Sequence, residues 1–161
     1  MLALIPMPED EFLAFFETVA ASHAEDNIAA GRWSASEAAT LAREETKRLL
    51  PANEKTPENY LFVLQDTGLG AEIGCLWFGT MSRATKKVAY LYQIYIHPLF
   101  RRKGYARQAM LAFEKEALSR KYDALALHVF ATNEGAHRLY QAMGYSASSI
   151  TMRKEFGPSD A

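Results

Sequence analysis

Residues 89–107 read AYLYQIYIHPLFRRKGYAR, and this stretch decides the fold. From Ala89 to Ile96 it is apolar and aromatic with no breaker, which predicts a buried strand. Pro98 ends that strand, because proline has no N–H to give to a ladder. Arg101-Arg102-Lys103-Gly104-Tyr105-Ala106 then opens a helical pattern. The first N–H groups of a helix lack internal partners, and the helix dipole adds positive charge there. A basic, glycine-bearing turn between strand and helix is therefore suited to a phosphate. Gly104 and Ala106 keep side chains small where a ligand must approach the backbone.

Composition bounds the rest. A chain of 161 residues with 49% hydrophobic and 23% charged residues suits one soluble domain, residues 1–161. The net charge of −1 supplies no electrostatic case for nucleic acid or an anionic membrane as partner. Cys75 is the single cysteine, so an internal disulfide and a multi-cysteine metal site are excluded, and no metal is expected. The start MLALIPMPEDEF has no basic n-region or long apolar run, so no signal peptide is expected, and a cytoplasmic setting is the default.

Outward from the opening stretch, the chain reads as α+β. Leu2 to Ile5 forms a short edge strand. Residues 9 to about 30 form a helix with Phe12, Phe15, Phe16, Val19 and His23 on one stripe, stopped by Gly31. Ser34 and Glu37 form a capping box, and Ala38, Leu41, Glu45 and Leu49 line the next helix, which ends at Pro51. Tyr60 to Gln65 is a strand and Asp66 to Gly70 a turn. Glu72 to Gly79 is a strand with Ile73, Cys75 and Trp77 on one face. Thr80 to Lys87 reads as a polar, basic loop. Gly104 to Lys121 is helical, and Ala124 to Ala131, apolar on both faces, reads as a strand in the middle of the sheet. Asn133 to Met143 is a helix capped by Gly144. Tyr145 to Phe156 supplies a last strand, and the tail GPSDA frays.

The phosphate turn is neither a P-loop, whose lysine follows its glycine, nor a dinucleotide fingerprint, which needs further glycines. It fits Arg/Gln-x-x-Gly-x-Gly/Ala, and in its strand context resembles the pyrophosphate segment of the GNAT superfamily of N-acetyltransferases. A second stretch, Leu127 to Tyr145, is similar to the other signature of that superfamily: a strand, then Asn133-x-x-Ala136-x-x-Leu139-Tyr140-x-x-x-Gly144-Tyr145. The motif-bearing part runs from about Tyr60 to Lys154.

The resemblance implies a GNAT-like fold: a mixed, mostly antiparallel sheet of six to seven strands flanked by about four helices. It implies acetyl-CoA as co-substrate. Ile94, Tyr95 and Ile96 would pair with its pantetheine arm. The segment Arg101, Arg102, Lys103, Gly104, Tyr105, Ala106 and Arg107 would hold its pyrophosphate. Asn133 would reach the pantetheine, or act simply as a helix N-cap. Tyr140, also at the cofactor, would be the general acid, since a phenol can protonate a departing thiolate; a core tyrosine is the plainer reading. His128 stands where relatives that acetylate protein N-termini carry a glutamate, and an imidazole suits a base at neutral pH. It could equally be a satisfied histidine within the sheet. Gln93 stands where other relatives carry an acid, and cannot take a proton; Glu72 is a further candidate.

The implied activity is direct acetyl transfer to a primary amine of a small molecule or peptide. The alternatives are a non-catalytic acyl-CoA sensor and a protein N-terminal or lysine acetyltransferase. Glu25, Asp26, Glu44 and Glu45 could attract a cationic amine or form a solvated face. A homodimer is a family-level expectation.

Overall fold

The computed structural model describes residues 1–158; the last three residues of the tail expected to fray lie outside the described residues. Five strands form one sheet in the order β1-β2-β3-β4-β5: β1 (Leu2–Pro6), β2 (Asn59–Asp66), β3 (Ala71–Arg83), β4 (Lys86–Ile96) and β5 (Ala124–Leu127). The first three pairings are antiparallel, and β4 and β5 run parallel. The helices are α1 (Phe12–Ala29), α2 (Ala38–Leu49), α3 (Tyr105–Ser119) and α4 (Glu134–Ala142). The mixed sheet and four helices are those expected; the strand count is lower, because residues 145–156 form no strand.

Each face of the sheet carries its own core. Phe12, Phe15 and Val19 of α1 pack on Leu61, Val63, Cys75 and Trp77. On the opposite face α3 packs Ala109, Met110 and Phe113 on Phe62, Leu64, Leu76 and Phe78, and α4 adds Tyr140. Ile73 belongs to this second face, not with Cys75 and Trp77. The register jumps between Leu64–Gly74 and Gln65–Glu72, so Ile73 is an extra residue, and a bulge turns its side chain over. Gly74 is obligatory there, since a Cβ would collide with the Tyr95 carbonyl.

Other local readings shift. Residues 80–87 form no loop: β3 and β4 continue past the core as a hairpin, with Ala84 in the left-handed region at the turn (φ 53°). Their polarity reflects that protrusion. On α2 the buried stripe is Ala38, Ala42 and Thr46, with Leu41 half-buried and Leu49 exposed. Small residues win because α1 meets α2 across Ala20 and Ala24, with Trp33 plugging the seam. Thr46 is tolerated inside because its hydroxyl donates to the Ala42 carbonyl at 2.7 Å. The capping box forms by half: the Ser34 N–H donates to Glu37 Oε1 at 3.2 Å, while the Ser34 hydroxyl pairs with Ser36. The strand expected through Ala131 ends at Leu127 and lies at the sheet edge.

Candidate active site

The site begins where two parallel strands part. The β4–β5 ladder ends at Leu91 opposite Leu127. Beyond it, residues 93–96 of β4 pair only with β3, and residues 128–133 belong to no strand. The register of β3 and β4 jumps between Trp77–Gln93 and Phe78–Leu91, leaving Tyr92 as an extra residue. A bulge of this kind bends a strand and re-aims its side chains, here at the point of divergence. The result is a cleft with one backbone edge of β4 open along Gln93, Ile94, Tyr95 and Ile96.

At one end of the cleft sits the basic turn. Pro98–Phe100 is a single 3-10 turn, Arg102 and Gly104 are left-handed (φ 60° and 81°), and α3 starts at Tyr105. The Gln108 N–H donates to the Gly104 carbonyl at 3.1 Å; the amides of Tyr105, Ala106 and Arg107 precede that bond and have no helical acceptor. Nothing lies within 4 Å of where a Gly104 Cβ would stand, so the turn faces open space. Arg101, Arg102, Lys103 and Arg107 are exposed around it. Arg101 Nε donates to the Ile96 carbonyl at 2.8 Å, so the part of the open edge not engaged by this arginine lies at Ile94 and Tyr95. Tyr105 turns away from the cleft, and its hydroxyl donates to Asp66 Oδ2 at 2.8 Å. Asp66 also caps its own turn, accepting from the Gly68 and Leu69 amides at 2.8 and 3.0 Å. The Tyr105 bond, then the Leu69 amide, hold its carboxyl below the usual range.

Tyr140 of α4 lies in the core on the α3 face of the sheet, 8% exposed, its ring 5.9 Å from that of Tyr145. Burial raises its pKa, and the charge of Asp26 raises it further. Asp26 is on α1 and Tyr140 on α4, on opposite faces of the sheet. The Asp26 charge is nonetheless near enough to be felt at Tyr140. Ser22, one turn before Asp26, accepts a hydrogen bond from β4: Gln93 Nε2 donates to its Oγ at 3.1 Å. Ser22 and Asp26 thus share one stripe of α1 along the open edge. Partial burial, chiefly, pushes the Asp26 carboxyl up, although it is exposed at the rim. Sequence alone offered no signal for Ser22, and nothing that set Asp26 apart from its acidic neighbours.

Asn133 caps α4, its Oδ1 accepting from the Ala136 N–H at 3.3 Å, so the N-cap reading is observed. His128 is the first residue past the ladder. It is exposed, not within the sheet, with its ring edge-on to Phe130 at 4.7 Å. Arg32, from the loop after α1, covers the other ring, 5.8 Å from the Phe130 centroid. Glu72 sits elsewhere, 3.3 Å from His97 Nε2, and lines a cavity of about 110 Å³ with Glu11, Phe15 and Cys75. That cavity lies against the first half of α1, and its nearest lining residue on the helix, Thr18, is about 12 Å along the axis from Asp26 at 1.5 Å per residue. His23 bonds Glu45 at 2.7 Å and ties α1 to α2. Among the described residues no three His, Cys, Asp or Glu side chains gather to hold a metal, and no helix is long and apolar enough to cross a membrane.

The profile of the acetyltransferase (GNAT) family matches residues 20–145. The chain is 30% identical to the uncharacterized N-acetyltransferase YycN of Bacillus subtilis (strain 168), over 96% of its own length and 98% of that protein. It is 34% identical to the uncharacterized N-acetyltransferase YdgE of the same strain, over 92% and 94%. The crystal structure of YycN superposes with a TM-score of 0.91, covering 97% of this chain and 99% of that one. The structure of AAC(6')-Iy in complex with the bisubstrate analogue CoA-S-monomethyl-acetylneamine superposes at 0.63, covering 98% and 99%; at 14% identity that likeness is one of fold.

Proposed function

The chain belongs to the acetyltransferase (GNAT) family, and on that premise we propose that it transfers the acetyl group of acetyl-CoA directly to a primary amine of a small molecule or peptide. The observation that carries this reading is the cleft: an open edge of β4 that leads straight into unpartnered amides at the start of α3. Those features fit a long thioester with a diphosphate at one end. Ile94 and Tyr95 would align the pantetheine by backbone bonds, with Ile96 at the boundary. Arg101 to Arg107 would hold the diphosphate, and the space around Gly104 leaves room for it. Acetyl-CoA supplies an activated acyl group with a thiolate leaving group.

Three tasks remain for the chain. Tyr140 holds a proton for the thiolate, and its raised pKa keeps the phenol in the acid form. His128, at the mouth of the cleft, takes the amine's proton directly or through water. Asp26, at the rim on the other face, attracts the protonated amine. Cys75 takes no part: it is 7% exposed, and burial pushes its thiol up to about 12, which removes the thiolate a covalent relay needs.

The test is CoA release from acetyl-CoA across a panel of small amines, polyamines and peptides. Release with at least one amine supports the reading. Tight acetyl-CoA binding with no release across the panel would instead make the protein a sensor of acyl-CoA.

A further inference from the structure

Arg32, in the loop after α1, is a cation held in place with no anion to hold. Its Nη1 donates to Asn27 Oδ1 at 3.0 Å, and its backbone N–H donates to the Asn27 carbonyl at 2.9 Å. Its guanidinium carbon stands 5.9 Å from the ring centroid of Trp33 and 5.8 Å from that of Phe130. At that distance each ring face attracts the cation. The residue is nonetheless exposed. A guanidinium carries five N–H donors, and only one of them finds an acceptor among the described residues.

The support behind Arg32 is built from buried polar groups. Asn27 is fully buried, where a polar side chain is costly unless its groups are bonded. Its Nδ2 donates to the His23 carbonyl at 2.8 Å and to His23 Nδ1 at 3.3 Å. An amide nitrogen only donates, so His23 Nδ1 accepts; Nε2 then carries the proton and donates to Glu45 Oε2 at 2.7 Å. The chain Glu45–His23–Asn27 thereby fixes which way the amide points and turns its oxygen toward Arg32. Two helices cooperate to aim one exposed cation.

Among the described residues no carboxylate answers it. Arg32 makes no ion pair there, and neither does Asp26, six positions earlier. Glu155, which the tail brings to the same loop, is bound to Arg153 at 3.1 Å, and Arg153 in turn donates to the Gly31 carbonyl. Arg32 is also close to the proposed base. Phe130, which it covers, carries the His128 ring edge-on at 4.7 Å. Even laid end to end, those two ring distances, less a hydrogen bond of about 3 Å at either end, leave roughly 4.5 Å at most for a substrate held by both groups. The amine and carboxylate of an α- or β-amino acid fit that span; the two ends of a long, extended aminoalkanoate do not.

We propose that the acceptor is a free α- or β-amino acid, gripped by its carboxylate at Arg32 while its amine faces His128 and Asp26. The inference rests on the amine-acetylation reading of the site and adds the residue that selects the substrate. The N–H groups of Arg32 not used by Asn27 form a fork that suits the two oxygens of a carboxylate. Asp26 and Arg32 carry opposite charges at the end of α1 and leave each other unpaired, which is the complement of a zwitterion.

The test is CoA release from acetyl-CoA with each protein α-amino acid and with β-alanine, beside the amide of each, which keeps the amine and loses the negative charge. The best amino acid should exceed its amide in kcat/KM by about 10–100-fold, the range of one or two charge-assisted hydrogen bonds. Arg32→Gln should lower kcat/KM for that amino acid by a similar factor, chiefly through KM. It should leave the amide, and the rise in melting temperature with acetyl-CoA, unchanged. Arg32 is exposed, so the variant should fold; if it does not, Arg32→Lys, which keeps the charge and loses the fork, is read in its place. The proposal is overturned if no amino acid is preferred over its amide, or if the variant loses both substrates equally. Release with amines that lack a carboxylate would then leave the acetyl-transfer reading standing. Calorimetry of the same compounds on CoA-loaded protein covers the remaining case. Amino acids that bind through Arg32 without any release keep this inference and sink the transfer reading; neither binding nor release overturns the inference.

Discussion

Arg101 donates from Nε to the carbonyl oxygen of Ile96 at 2.8 Å, so the basic turn is fastened to the last residue of the open strand edge. The two halves of the proposed cofactor site are therefore joined directly, and a change in the turn should be felt as lost binding. Acetyl-CoA well above its dissociation constant should raise the melting temperature of the wild type by mass action. Gly104→Glu places a carboxylate where the diphosphate belongs, and should abolish that rise. The turn has no role in binding if the variant shows the wild-type shift.

Tyr140→Phe keeps the ring in the core and removes the proton. Turnover should fall by about 10²–10⁴-fold, the usual range for a positioned acid, with little change in acetyl-CoA affinity. Burial and Asp26 both raise the phenol's pKa. The alkaline loss of kcat should then lie above the ordinary phenol value of about 10. Asp26→Asn should move it down. A pH profile of kcat for the wild type and the Asp26 variant reads this directly.

The role of His128 is tested by the acid side of the same profile. An imidazole base works only when neutral, so kcat/KM should climb as the imidazole gives up its proton. His128→Ala and His128→Gln should both erase that limb and leave the upper one, which belongs to the substrate amine. Since the side chain is exposed, neither variant should change the melting temperature much. Profiles identical to wild type would reduce His128 to a ring packed on Phe130.

Asp66 gives a prediction about acid stability. Its folded-state pKa is lowered, first by the Tyr105 hydroxyl and then by the Leu69 amide. A carboxylate of this kind stabilises the fold above its unfolded value, about 3.9, and that contribution is lost as pH falls through the folded value. Urea midpoints should show the wild type losing stability below about pH 4 more steeply than Asp66→Asn. Parallel curves would dismiss the contact between β2 and α3.

What could be read ahead of the structure was what short-range chemistry determines. Proline after a run of apolar residues ends β4, and a lone glycine among basic residues starts α3, whatever the rest of the chain does. The bulge at Ile73 could not be read, because it exists only in the pairing of β3 with β2, and the Tyr95 carbonyl that forbids a Cβ at Gly74 is 21 positions away. The stripe of α2 was misread for a similar reason: hydrophobicity favours Leu41 and Leu49, while the alanine seam with α1 admits only small side chains. Asp26 becomes distinctive only in the fold, where its charge is felt at Tyr140. The last strand, expected over Tyr145 to Phe156, is absent: residues 145–156 form no strand, and Lys154 falls on the face of Ile150, Met152 and Phe156 and interrupts the alternation a strand with one apolar face needs.

The burial of Cys75 has a practical consequence at the bench. The only thiol in the protein is buried in the cluster of Phe15 and Val63, and its sulfur keeps its proton. A chromogenic disulfide reagent added during turnover should therefore count released CoA and nothing else. The enzyme would contribute no background colour and would not be poisoned by its own assay. Any burst of colour from protein alone would report the native fold coming apart.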